Sequence, residues 1–284
     1  MLSATPRLRA VTGHEWWDGE YEDLQVRAHE ASGRRVAVVT LDLPERRNSM
    51  SGPMTASWVE VMRLLRADGD LAAVVVTGAA PAFCAGGDLT WLVSDPDASV
   101  PDLRTRMLAF YRSWLAVRDL EVPTIAAVNG AAIGAGMALA LACDLRYVAS
   151  DARLGVPFTA LGLHPGMATT WSLPDVAGSA VARDLLLTGR LVTGTEAVQL
   201  GLASRALPAD AVLDESLAAA ERIAAAAPVA TRLTLQALRS GGHADHETAL
   251  QWEALAQATT LATEDVQEGI AAAAARRTPQ FRGR

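Results

Sequence analysis

The chain predicts an α/β fold with a helical C-terminal part. Three features carry that expectation. Short apolar runs rich in β-formers alternate with amphipathic stretches at helical spacing, and glycine-rich turns follow two of those runs. Beyond about residue 207 the strand-like runs give way to alanine-rich helical ones.

Val36 to Leu43 reads as a strand that Pro44 stops. Ser51 then offers an N-cap and Pro53 sits in the first turn of a helix, with Met54, Trp58, Val61, Met62 and Leu65 on one buried face. Leu71 to Thr77 is too continuously apolar to be half exposed, so it reads as a fully covered strand. An amphipathic helix from about Leu103 to Arg118 follows, with Met107, Phe110, Trp114 and Val117 on one face. Pro123 to Val128 is a third strand, Met137 to Cys143 a helical run, and Asp144 to Ala149 a fourth strand. This order divides the chain into an extension (1–24), a core (25–207) and a helical module (208–284), the last punctuated by Pro228 and Gly241-Gly242.

Composition removes several function classes. Half of the 284 residues are hydrophobic, enough for a substantial core, and the net charge of -7 argues against a dedicated nucleic-acid binder. Cys84 and Cys143 form no spacing motif, which points away from disulfides and zinc knuckles and toward a reducing, cytoplasmic setting. There is no lysine, so a Walker loop and a Schiff-base mechanism both lack their key residue. The best candidate for a membrane span, residues 122–145, is interrupted by Pro123, Asn129 and Asp144. The N-terminus carries arginine and no acid before Glu15, and is read as a short cytosolic extension rather than a transit peptide. No metal site or separate cofactor is expected.

The chemistry is expected at the two glycine-rich turns. Ala85-Gly86-Gly87-Asp88 follows the strand ending at Thr77, and Gly134-Ala135-Gly136 opens the helical run to Cys143. Free amides at a helix start favour an oxygen carrying negative charge, and one amide from each turn could grip a thioester oxygen as it becomes an enolate. The stretch GAGMAL only partly matches a dinucleotide fingerprint, because Leu139 occupies the third glycine position.

Taken with LDLPERRNSMS, AFCAGGDL, PTIAAVNGAAIGAGMALALACDLRYVA, LGLHPG and EDVQEGIAAAAARRTPQF, the turns resemble the crotonase (enoyl-CoA hydratase/isomerase) superfamily from about Leu41 to the C-terminus. The resemblance implies a spiral of ββα units, a homotrimer or dimer of trimers, an acyl-CoA thioester as ligand, and Gly87 and Ala135 as oxyanion donors. The family usually has glycine at position 135; alanine keeps the amide if the backbone angle suits a Cβ. Ala85, Gly86, Asp88, Leu89 and Thr90 would line the ligand, Arg46 and Arg47 would meet the CoA phosphates, and Phe281 matches an aromatic residue that approaches the adenine.

Two departures bear on activity. Hydratases of the family use two glutamates to position and activate water; here Ala138 and Phe158 stand in their places. A general acid or base contributes about 10²–10⁴-fold, so ordinary hydration is expected to be crippled. His164 is the nearest titratable substitute in sequence, although a histidine in a turn is more often structural. Asp88, Asp144, Cys84 and the HADHE cluster at 243–247 read as structural residues, the last as a charged helix start. Two functions therefore remain: an enzyme acting on acyl-CoA through an enolate, or a non-catalytic acyl-CoA-binding protein. A short-chain oxidoreductase lacks its lysine, and a serine peptidase on this fold would need a serine that GAGMALA does not contain.

Overall fold

The computed structural model describes residue 17 and residues 19–88, 95, 97–240 and 245–284. Most of the extension at 1–24, and Leu89 and Thr90 of the expected ligand wall, lie outside the described residues.

Strands β1 (Leu24–Ala31) and β2 (Arg34–Leu41) form an antiparallel hairpin. Ser32 and Gly33 between them both have positive φ, as a two-residue turn matched to strand twist requires. The sequence pattern picked out β2 but not β1, an edge strand whose only buried residues are Leu24, Val26 and Ala31. Helix α1 (Gly52–Ala67) starts where expected: the Met54 amide donates to Ser51 Oγ at 3.0 Å, and the five apolar residues of its inner face are buried.

Beyond α1 the chain winds as a spiral. Strand β3 (Leu71–Gly78), buried along its whole length, is followed by the short strand β4 (Ala82–Cys84) and by α2 (Val100–Leu115). Next come β5 (Thr124–Val128), β6 (Ala131–Ile133) and α3 (Ala135–Ala142). The third round is β7 (Leu145–Ala149), β8 (Arg153–Gly155) and α4 (Thr169–Thr188), which kinks at Gly178. The longer strand of each round joins one sheet and the shorter strand a second. With β9 (Val192–Thr193), α5 (Gly194–Gln199) and β10 (Arg205–Leu207), the sheets read β1-β2-β3-β5-β7-β10 and β4-β6-β8-β9. This is the expected ββα spiral. Helix α2 begins three residues earlier than the periodicity implies, because Ser99 caps it and Pro101 occupies its first turn.

Four helices follow: α6 (Val212–Ala224), α7 (Pro228–Arg239), α8 (His246–Leu261) and α9 (Glu264–Ala275). Helix α6 lies across β2, β3, β5 and β7, while α7 packs on α8. Asp245 caps α8 by accepting the Thr248 amide at 2.9 Å, so Asp245 to Glu247 serve as a helix start, while His243 and Ala244 of the HADHE segment lie outside the described residues. In the core, Trp58 of α1 stacks on Trp114 of α2 with ring centroids 5.0 Å apart. Among the described residues no helix is long and apolar enough to cross a membrane.

Candidate functional site

Both glycine turns leave the C-terminal ends of neighbouring parallel strands, and side chains tie those ends together. Asn129, after β5, donates from Nδ2 to the Gly78 carbonyl at 2.7 Å, and its Oδ1 accepts the Gly78 amide at 3.3 Å. The buried amide of Asn48 gathers the loop between β3 and β4, donating to the carbonyls of Ala79, Ala82 and Phe83, while its Oδ1 takes the Leu43 amide. Asn48 sits at φ 55, a conformation asparagine tolerates better than most residues. Its motif was visible in the sequence, but nothing local reveals that its partners lie some thirty residues away.

The turns then meet without room for side chains. A Cβ on Gly86 would stand 2.7 Å from the Ile133 carbonyl oxygen and 3.4 Å from the Ala135 nitrogen. A Cβ on Gly136 would stand 2.8 Å from the Cys84 carbonyl carbon and overlap its oxygen. Gly86 also has φ +104, open only to glycine in practice. On its outer side the first turn is held by the Met50 amide donating to the Gly86 carbonyl at 2.8 Å, with Met50 and Gly87 as a parallel bridge. In such a bridge the hydrogen bonds come from Met50 and the neighbours of Gly87, so the Gly87 N–H turns away from Met50. In the second turn, Gly134 (φ 56, ψ -116) precedes Ala135, the first residue of α3. Ala135 is buried and has no positive φ, so a Cβ costs nothing there, and its amide is one of the helix's unsatisfied donors.

Aromatic rings form the surroundings. The Phe110 ring lies 4.0 Å from where a Cβ on Gly87 would stand, and the Phe158 ring 3.8 Å from the same point on Gly134. Tyr111 packs edge-on to Phe110, and its ring carbon Cζ would be 3.0 Å from a Cβ on Gly166, so Gly166 is small for the sake of the phenol. Burial raises the Tyr111 hydroxyl above its ordinary pKa. Phe110 appeared in the sequence only as a helix-face residue and Tyr111 not at all; their place beside the turns depends on how α2 packs. Ala138 is buried on α3, every residue of which is buried. Cys84 is fully buried, and desolvation pushes its thiol up to about 12, so it is a core filler with no thiolate at neutral pH.

The expected charged residues are distributed unevenly. Arg46 forms an ion pair with Asp88 at 3.0 Å. Arg47 is exposed, and its carbonyl accepts the Ala85 amide at 2.9 Å, which fixes this arginine segment beside the first turn. His164 stands exposed on the loop after Phe158; its Nδ1 donates to the Pro165 carbonyl at 2.8 Å. Phe281 packs against Gly269 of α9 and lines a cavity with Arg34 and Asp70. Those two residues mark the starts of β2 and β3, the end of the sheet opposite the turns.

Fold and site together define a ββα-spiral protein with two main-chain turns in contact at the ends of its parallel strands. The sequence model of the enoyl-CoA hydratase/isomerase family matches residues 31–284. The chain is 34% identical over 252 residues to the 2,3-dehydroadipyl-CoA hydratase of Escherichia coli, covering 88% of this chain and 96% of that one. It is also 34% identical over 267 residues to the human mitochondrial enoyl-CoA hydratase domain-containing protein 2, covering 92% and 90%. The crystal structure of enoyl-CoA hydratase from Bacillus anthracis superposes with a TM-score of 0.85 at 31% identity, over 93% of this chain and all of that one. The protein belongs to the enoyl-CoA hydratase/isomerase family.

Proposed function

We propose that the protein acts on acyl-CoA thioesters by holding the thioester oxygen between the amides of Gly87 and Ala135 while the α carbon takes on enolate character. The observation that carries this reading is the direct contact of the two turns, Gly86 against Ile133 and Ala135, and Gly136 against Cys84. In this reading that contact sets the amides of Gly87 and Ala135 on either side of one oxygen, the second of them at the positive end of a buried helix. Ala85 to Asp88 form the described part of the ligand wall in this reading. Arg47 faces the CoA phosphates, and Arg46 divides its charge between them and Asp88. Phe110, Phe158 and Ala138 surround the acyl group with apolar surface. Such a site suits reactions driven by enolate stabilisation alone, such as decarboxylation or enolisation, better than addition of water. A turnover screen with enoyl- and malonyl-type CoA thioesters tests the reading, with product from at least one class as the expected result.

A second reading, non-catalytic acyl-CoA binding, is favoured by the chemistry of the replaced positions. Neither Ala138 nor Phe158 has a side chain that can give or take a proton, Asp88 is in an ion pair, and the His164 Nδ1 is engaged by a carbonyl of its own loop. Calorimetric binding of acyl-CoA without any product in the screen selects this reading over the first.

The helices α7 to α9 expose Leu238, Leu250, Leu255, Leu261 and Ile270. Self-association through these helices, as a trimer or a dimer of trimers, covers them. A stable monomer at micromolar concentration in light scattering contradicts this assembly.

A further inference from the structure

Of the three aromatic side chains beside the turns, Phe110, Phe158 and Tyr111, the last carries a hydroxyl. Tyr111 is half-buried on α2, with its ring centroid 6.3 Å from that of Phe110, whose own ring borders Gly87. The hydroxyl lies against the segment that follows Phe158: its oxygen is 2.5 Å from where a Cβ on Gly166 would stand. Gly166 has no positive φ, so its missing side chain answers to space alone. The phenol is thus wedged between the helix that flanks the first turn and the loop whose Phe158 flanks the second.

In that position the hydroxyl makes no hydrogen bond among the described residues. The carbonyls of the adjoining loop are engaged within the loop itself. The Phe158 carbonyl accepts the Leu161 and Leu163 amides at 3.0 Å each, and the Thr159 carbonyl accepts the Gly162 amide at 3.1 Å. The Pro165 carbonyl holds His164 Nδ1, and the Gly166 carbonyl accepts both the amide and the hydroxyl of Thr169, at 3.1 and 2.9 Å. Burial raises the Tyr111 pKa with no charge acting against it, so the phenol keeps its proton at neutral pH and is available as a donor. A donor in apolar surroundings is costly to leave unpaired, and here a glycine holds open the space around it. A site that recognises an oxygen on its ligand has this arrangement.

We propose that Tyr111 selects 3-oxoacyl-CoA thioesters, its hydroxyl donating to the ketone oxygen on the β carbon. This rests on the acyl-CoA reading of the turns, which sets the thioester oxygen between Gly87 and Ala135. Tyr111 adjoins the residue whose ring borders Gly87, so its hydroxyl belongs with the first carbons of the acyl chain rather than with its far end. A ketone accepts and does not donate, which matches a hydroxyl that stays protonated. The same substrate class suits a site in which Ala138 and Phe158 supply no base. An α C–H flanked by two carbonyls gives its proton to water or buffer far more readily than one beside a thioester alone. Calorimetry with acetoacetyl-CoA and butyryl-CoA, which have equal acyl chain lengths and differ by one ketone oxygen, tests the assignment on wild type and Tyr111→Phe. Wild type binds acetoacetyl-CoA about tenfold more tightly, and in Tyr111→Phe that ratio falls to about one through loss of acetoacetyl-CoA affinity. Thermal melts report whether the variant folds. Gly166→Ala is a second arm: it keeps the hydroxyl but crowds it, and it lowers the ratio in the same direction. A ratio unchanged by Tyr111→Phe overturns the proposal. An equal loss for both thioesters also overturns it, since the hydroxyl would then serve the CoA part they share. In both cases wild-type binding leaves the acyl-CoA reading standing. Binding of neither thioester to wild type overturns that reading, and the proposal with it.

Discussion

Gly136 lies directly against the main chain of Cys84: a Cβ on Gly136 would be 2.8 Å from the Cys84 carbonyl carbon and would overlap its oxygen. This contact joins the helix of the second turn to the strand that leads into the first. Its backbone is not left-handed, so the glycine is there for space rather than for conformation.

The first prediction follows from that contact. Gly136→Ala forces β4 and α3 apart and is expected to cost about 1–3 kcal/mol of stability and most of the acyl-CoA affinity. Ala135→Gly, one residue earlier, removes no contact of this kind and should retain binding. Thermal melts and calorimetry on the pair check the contrast. Equal acyl-CoA affinity in Gly136→Ala and wild type would show that the two turns do not act together.

Arg239 joins the helical C-terminal part to the core. Its Nε and Nη2 donate to Asp144 Oδ1 and Oδ2 at 2.8 and 2.7 Å, and the same carboxylate accepts the Thr124 amide and hydroxyl. Both side chains are largely shielded from solvent. Arg239→Ala leaves Asp144 without its countercharge and is expected to destabilise the fold by about 3–5 kcal/mol. Denaturant unfolding measures this; a loss under half a kilocalorie would mean water replaces the guanidinium.

The two buried thiols predict an alkaline limb. Desolvation pushes both Cys84 and Cys143 up to about 12, from 9.0 in an unstructured chain. The folded state therefore holds these protons more tightly than the unfolded state. The stabilisation is fully present below pH 9 and is lost as pH rises from there toward 12. The difference in stability between wild type and Cys84→Ala should narrow over that interval. A difference independent of pH would show that Cys84 has an ordinary thiol pKa.

Hydration of crotonyl-CoA is expected to be very slow or undetectable. Water addition needs a base for the nucleophile and an acid for the α carbon, and Ala138 and Phe158 supply neither. Ala138→Glu alone places a charge on a helix whose every residue is buried, with the Phe158 ring still beside Gly134, so it costs stability and adds no rate. Any recovery belongs to the double variant with Phe158→Glu, because groups that act as a unit are strongly non-additive. Loss of enoyl absorbance is the readout. Wild-type turnover at ordinary hydratase rates would show that another group, such as His164 or Tyr111, performs the proton transfers.

The elements that were legible in the sequence are those whose pattern is local. The capped helix α1, the continuously apolar β3 and the strand before Asn129 announce themselves through side-chain period and capping residues. The strands β4, β6, β8 and β9 have two or three residues each, too few to show any period, and exist only because the spiral aligns them. The edge strand β1 escaped for a related reason, since one buried face with an irregular outer face resembles a loop.

The sequence by itself determined the family, the two glycine turns and the residues at the two replaced glutamate positions. These are properties of residue type and order along the chain. Only the tertiary structure decided that Ala135 has a helical backbone on which a Cβ is free, that Arg46 is held by Asp88, and that Phe110 and Tyr111 border the turns. It also decided that Arg34, Arg232 and Arg282 line one cavity at the far end of the sheet. Each of these depends on contacts between residues distant in the chain. Backbone angle and side-chain environment are set where strands and helices pack, and no local pattern encodes which distant segment arrives there.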